Sequence, residues 1–140
     1  MFWNKVKPAV NLVECNPFFQ REEERAYMES RNIQMQAWSP LSAGQVSLFQ
    51  NETLCAIAEN HRKSPAQVVL RWLTQRGIVP IVKSANPQRM KENLSIFDFT
   101  LTEAEMEQIA KLDTGHTCFA PRQTGPAVED FLKKSLLYQL

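Results

Sequence analysis

The residues with the clearest chemistry stand together around position 85. Lys83 and Ser84 follow an apolar segment, and Asn86 opens a predicted helix that carries Arg89 in its first turn. Two cations and a hydroxyl beside a helix N-terminus can hold a phosphate, because free backbone N–H groups and the helix dipole add to the side-chain charges. The spacing therefore indicates an anion site. The alternative is that Lys83 and Arg89 are ordinary surface cations near a loop.

A second group of candidate residues follows another apolar segment. Trp38, Ser39 and Leu41 stand directly after the segment that ends at position 38. In parallel α/β folds, ligands bind at the carboxyl ends of the strands, so both groups are well placed if these segments are strands. Taken alone, Trp38 is better explained as an aromatic residue of the core than as a ligand contact.

Three short apolar segments predict the β-strands that would position these residues. They lie at 9–14, 33–38 and 78–83. The third contains Pro80, which removes one donor from the ladder and normally restricts a strand to the edge of a sheet. Helical segments lie between the strands, and this alternation predicts an α/β fold with a parallel sheet built from βαβ units.

Cap residues mark where the helices begin. A charged helix is predicted at 21–30, and Asn51 can cap the next. Ser64 and Thr102 each open a capping box, with Gln67 and Glu105 three residues later. A further helix is predicted at 86–94. Beyond 113 we expect a C-terminal loop and tail, 114–140, with a short helix at 127–137.

The charge balance excludes two classes of function. Of the 140 residues, 16 are basic and 15 acidic, which leaves no surplus for the concentrated basic face of a nucleic-acid or membrane-surface binder. No apolar stretch reaches the ~18 residues that span a bilayer. Three widely spaced cysteines favour a reducing, cytoplasmic compartment. His116 and Cys118 have no second pair of soft ligands nearby, so we expect no metal site.

Several stretches of the sequence resemble the aldo-keto reductase family. They include PAVNLVECNP, IQMQAWSPL and IVKSANPQRMKEN, and the matching stretches cover 8–17, 33–41, 64–77, 81–93 and 97–113. The resemblance implies a partial (β/α)8 TIM barrel, in which three parallel strands with flanking helices correspond to the last three strand–helix units. It also implies NADP(H) as cofactor.

The family's cofactor contacts map onto residues of both candidate groups. By resemblance, Lys83, Ser84 and Arg89 hold the adenosine 2′-phosphate, and Glu92 and Asn93 contact adenine. Ser39 and Leu41 match positions along the pyrophosphate, and Trp38 matches the aromatic that stacks on nicotinamide. Charge-assisted hydrogen bonds would hold a dianionic phosphate beside Lys83 and Arg89.

The sequence departs from the family pattern where the chemistry would occur. Leu12 stands where the family has a glutamine that binds the nicotinamide carboxamide, and leucine cannot make that bond. The family's catalytic Asp, Tyr, Lys and His come from the first half of the barrel. Tyr27 lies on the predicted helix after the first strand and Tyr138 lies near the end of the sequence, so neither can substitute and we assign no catalytic residue.

We therefore expect residues 1–140 to be a single truncated domain of an NADP-dependent aldehyde/ketone oxidoreductase, without catalysis on its own. Two alternatives stay open. One is a non-catalytic NADP(H)-binding fragment, and the other is an interaction module whose open sheet edges pair with another copy or with a partner chain. Only full-length relatives would bind a carbonyl substrate. Phe119 is either a substrate contact or a packing residue.

Overall fold

The computed structural model describes residues 6–44 and 46–119, together with Glu129 and Lys133. Its strands are β1 (Val10–Glu14), β2 (Gln34–Trp38) and β3 (Val79–Pro80). Its α-helices are α1 (Glu22–Ser30), α2 (Glu52–His61), α3 (Pro65–Gln75), α4 (Pro87–Leu94) and α5 (Glu103–Ala110). Two 3₁₀ turns, Ser42–Gly44 and Leu48–Gln50, join β2 to α2. Apart from Glu129 and Lys133, the helix expected at 127–137 lies outside the described residues.

The three strands form one parallel sheet in the order β1-β2-β3. Helices flank it, which confirms the predicted fold class. The expected strand at 78–83 is shorter than predicted, because only Val79 and Pro80 pair with β2. Pro80 has no N–H to donate. The Ile81 N–H still donates to the Ala37 carbonyl at 2.9 Å, and regular pairing ends there.

Local capping signals set the helix starts as the sequence predicts. The Asn51 side chain accepts from the Leu54 N–H, and Ser64 and Thr102 both form complete capping boxes. The first helix begins one residue later than predicted, because Arg21 adopts the left-handed conformation at φ 56°. Among the described helices, none is long and apolar enough to cross a bilayer.

The hydrophobic core lies between one face of the sheet and the helices. Alternate residues of a strand point to the same face, so Met35 and Ala37 share the helix-covered face of β2 and are almost fully buried. From the helices, the core receives Leu54, Ile57, Val68, Val69, Trp72, Leu73 and Ile109.

The opposite face of the sheet is open and largely apolar. Leu12 pairs with Gln36, which in turn pairs with Val79, so these side chains share the uncovered face. Val10, Leu12 and Val79 remain 45%, 51% and 42% exposed. In a closed barrel this face would point inward and pack in layers with the other strands.

Candidate cofactor site

Six of the eight residues predicted to contact the cofactor surround one cavity of about 360 Å³. It lies between the segment after β2, the start of α3 and helix α4. The six are Leu41, Lys83, Ser84, Arg89, Glu92 and Asn93, and Phe49, Ser64 and Ala66 complete the wall. Residues from three separate parts of the chain therefore meet at one site.

The acidic residue of the cavity, Glu92, pairs with neither of the two cations and instead accepts from Gln88 Nε2 at 3.0 Å. Within residues 6–44 and 46–119, neither Lys83 nor Arg89 forms an ion pair or a side-chain hydrogen bond. Both side chains are exposed to solvent. An anion would thus meet two positive charges that are not already neutralised.

The start of α4 differs from the anion site expected from the sequence. The Asn86 side chain accepts from the Gln88 and Arg89 N–H groups at 2.9 and 3.2 Å, and the Met90 N–H donates to the Asn86 carbonyl. The prediction of free N–H groups at this helix start is therefore wrong. An N-cap side chain satisfies the orphan donors, so the Lys83 and Arg89 side chains carry the attraction for an anion.

Ser84 is also held locally. Its hydroxyl donates to the Asn86 carbonyl at 3.3 Å and accepts from the Asn86 N–H at 3.1 Å. This small ring orders the turn between Lys83 and α4. The turn fixes the backbone that carries the lysine, which leaves only the side chain to be ordered by a ligand.

Gln67 positions α4 and was not identified as a site residue from the sequence. Its Nε2 donates to the Glu92 carbonyl at 3.1 Å and to the Ser95 carbonyl at 3.0 Å. Its Oε1 accepts from the Ser64 N–H at 3.0 Å. One buried amide therefore caps α3 and holds the end of α4, which carries Arg89, Glu92 and Asn93. The capping-box pattern predicts only the first of these roles.

Trp38 and Ser39 do not line this cavity. Trp38 ends β2, and the chain turns sharply at Ser39, which has a φ of 48°. Two residues later Leu41 reaches the cavity wall. The Trp38 ring packs on Phe119, with centroids 5.1 Å apart and planes tilted by 46°. Phe119 thus makes a packing contact with Trp38.

The titratable residues near the helices form structural pairs. His61 Nε2 lies 2.9 Å from Glu105 Oε1, between α2 and α5. Partial burial opposes ionisation of Glu105, but hydrogen bonds from Thr102 and His61 outweigh it and lower the pKa of this carboxyl. Among the described residues, no three His, Cys, Asp or Glu side chains come together as a metal site would require.

The architecture defines part of a parallel (β/α) barrel, and a cavity that includes Lys83 and Arg89 in its lining follows the last strand. The chain belongs to the aldo/keto reductase family, whose model matches residues 3–114. It is 48% identical over 110 residues to the 9,11-endoperoxide prostaglandin H2 reductase of Trypanosoma cruzi, covering 78% of this chain and 39% of that protein. It is also 48% identical over 109 residues to the glyoxal reductase of Bacillus subtilis, with the same coverage.

Solved structures of aldo-keto reductases also match this chain. MGS-M4, an aldo-keto reductase from a deep-sea metagenome library, superposes with a TM-score of 0.81 at 39% identity, covering 86% of this chain and 44% of that one. The Bombyx mori aldo-keto reductase, solved in complex with NADP, superposes with a TM-score of 0.79 at 33% identity, covering 86% and 42%. The chain therefore spans about two fifths of the length of these proteins.

Proposed function

We propose that this chain is the cofactor-holding C-terminal part of an NADP-dependent aldo-keto reductase, and that it binds the adenosine 2′-phosphate half of NADP(H). The observation that carries the proposal is the convergence of Leu41, Lys83, Ser84, Arg89, Glu92 and Asn93 on one cavity. Family membership supports the oxidoreductase class. The NADP and NADPH complexes of structural neighbours support the cofactor.

The residues of the cavity fit the group they would hold. A 2′-phosphate carries close to two negative charges, and Lys83 and Arg89 offer two exposed cations that form no ion pair within the part of the chain that the structure describes. Arg89 can bind two phosphate oxygens through its planar fork, whereas Lys83 acts as a point charge. Glu92 and Asn93 line the same cavity and match the family's adenine contacts.

NADPH, when bound, supplies the hydride that reduces a carbonyl to an alcohol. The part of the reaction assigned to this chain is binding and orientation of that cofactor. We assign the acid that protonates the product oxygen to no residue of this sequence, and we propose that the carbonyl substrate binds only in a complete barrel. The free cysteines Cys15, Cys55 and Cys118 support a reducing, cytoplasmic location.

Titration of the purified chain with NADPH, NADH and adenosine 2′,5′-bisphosphate tests the proposal. We expect saturable binding of both 2′-phosphorylated ligands and much weaker binding of NADH. The double variant Lys83→Ala, Arg89→Ala should lose at least tenfold in affinity, because each charge-assisted contact contributes about 1.5–3 kcal/mol. Lys91→Ala removes an exposed cation of the same helix outside the cavity and is the matched control. Equal affinity for NADPH and NADH would refute the proposal.

A second candidate function is favoured by an apolar groove of about 670 Å³ between β3, α3 and α4. Val82, Met90, Leu94 and Phe97 line it, and all four are more than a third exposed. We propose that its occupant is the first half of an aldo-keto reductase barrel, supplied as a separate chain. A barrel closes by pairing its last strand with its first, and the chain matches only about two fifths of its relatives.

Mixing this chain with the matching first part of the Bacillus subtilis glyoxal reductase tests the second candidate. We expect a one-to-one complex on size-exclusion chromatography, because burial of the apolar side chains that line the groove favours association. Two separate peaks from two folded samples would exclude this occupant. Self-assembly of the chain alone would assign the groove to a second copy instead.

A further inference from the structure

The chain after α5 returns to the strand ends and is attached there by several hydrogen bonds. The Thr114 N–H and hydroxyl both donate to the Phe18 carbonyl, at 2.9 and 2.7 Å. Phe18 lies in the loop that follows β1. This double contact brings the segment 114–119 across the carboxyl end of the sheet.

Glu14 is the second attachment point and is unusual for a glutamate. It is the last residue of β1 and only 4% exposed. Its carboxylate accepts from the Thr117 hydroxyl at 2.5 Å and from the Cys118 N–H at 2.9 Å, with a longer contact of 3.4 Å from Asn16 Nδ2. Buried carboxylates are costly unless several donors surround them, and two of these three donors belong to the returning segment.

The contacts continue from Glu14 to the aromatic pair. The Thr117 hydroxyl, which donates to Glu14, also accepts from the Phe119 N–H at 3.1 Å. Phe119 in turn packs on Trp38. Trp38 is the register partner of Glu14 in the neighbouring strand. Glu14 and the Trp38–Phe119 pair therefore lie side by side on the same face of the sheet.

We propose that Glu14 is a positioning residue: its carboxylate holds the segment 114–119 so that Phe119 covers one side of Trp38 and closes the nicotinamide end of the cofactor site. The attachment itself follows from the hydrogen bonds. Its consequence for the cofactor rests on the proposed function and on the family resemblance, by which Trp38 matches the aromatic residue that stacks on nicotinamide.

Alkylation of Cys118 reports the attachment without any ligand. Burial raises the pKa of this thiol, and its own N–H is one of the groups that Glu14 holds. Glu14→Gln should speed Cys118 alkylation about tenfold or more, as expected for the loss of a charge-assisted hydrogen bond. Cys55, on α2, is the internal control when rates are read peptide by peptide.

Two further variants separate attachment from simple charge removal. Thr117→Val keeps the Glu14 carboxylate but removes the donor, so it should also speed alkylation. Glu23→Gln removes an exposed carboxylate from α1 and should leave the rate unchanged. Unchanged Cys118 rates in both Glu14→Gln and Thr117→Val, with far-ultraviolet circular dichroism intact, would overturn the attachment.

A comparison of two ligands tests the consequence for the cofactor. Adenosine 2′,5′-bisphosphate lacks nicotinamide, so Glu14→Gln should leave its Kd unchanged while it raises the Kd of NADPH severalfold. Equal changes for both ligands, or none, would refute a role at the nicotinamide end. If the wild-type chain binds neither ligand, the proposed function fails together with this role, whereas the alkylation rates still decide whether Glu14 holds the segment.

Discussion

Replacing Gln67 with methionine should lower the free energy of unfolding more than is usual for a polar residue outside the hydrophobic core. Methionine keeps the length of the side chain but removes the amide. Gln67 is 7% exposed, so water cannot readily replace the lost partners. The substitution strips the Glu92 carbonyl of its contact to α3 and leaves the Ser64 N–H without an acceptor.

The magnitude follows from the hydrogen bonds that disappear. Three are lost at distances of 3.0–3.1 Å, and a longer fourth, from the Ser64 hydroxyl, at 3.3 Å. Each shorter bond has a net value of about 0.5–1.5 kcal/mol. The Ser95 carbonyl keeps a contact from Lys63 Nζ at 3.3 Å, which limits its share. We expect a total loss of about 2–3 kcal/mol in the free energy of unfolding.

Urea unfolding followed by circular dichroism measures this loss. With an m-value of about 1.5 kcal/mol per molar, the midpoint should fall by roughly 1–2 M. Gln88→Met is the matched control, because its exposed contact to Glu92 Oε1 at 3.0 Å contributes only about 0.5 kcal/mol or less. If Gln67→Met costs no more than Gln88→Met, Gln67 does not join the two helices as described.

Two further outcomes are expected. Hydrogen bonding from Arg25, with a further contribution from Arg76, outweighs partial burial and lowers the pKa of Glu22 from 4.5 to about 2. A lowered carboxylate pKa stabilises the fold above pH ~4.5 and loses this effect toward pH 2. The wild-type chain should therefore exceed Glu22→Gln in free energy of unfolding by less than about 1 kcal/mol, because the side chain is exposed. In urea titrations this difference should disappear between pH 4.5 and pH 2. A difference that stays constant over that range would contradict the prediction. Leu94→Glu should abolish the complex with a first-half barrel chain, while Gln108→Glu, an equal charge change on α5, should leave it intact on size-exclusion chromatography.

The sequence predicts those parts of the molecule that depend on near neighbours in the chain. Asn51, Ser64 and Thr102 each bond to an amide three residues away, so their patterns identify the helix starts correctly. The order of strands and helices then fixes a parallel sheet. The spacing of Lys83 and Arg89 points to the cationic cavity, although the Asn86 cap removes the backbone donors expected there.

Local sequence patterns did not predict the contacts between residues that are far apart in the chain. Gln67 bonds to the Ser95 carbonyl 28 positions away, and Glu14 to the Cys118 N–H 104 positions away. Nothing in the local pattern around Glu14 distinguishes it from a surface glutamate at a strand end. The packing of Phe119 on Trp38 likewise depends on where the chain returns, and local propensity cannot specify that return.

The hydrophobic core lies on one side of the sheet, whereas the residues that would face the interior of a barrel lie on the other side. Most of its buried apolar side chains come from the helix-facing side of the sheet and from α1, α2, α3 and α5, so these contacts do not involve the open face. Packed elements that share one core open together as a unit, so we expect this side of the sheet to resist local unfolding most strongly. Substitutions on the open face, such as leucine at position 12, would therefore alter the interior of an assembled barrel with little effect on this core.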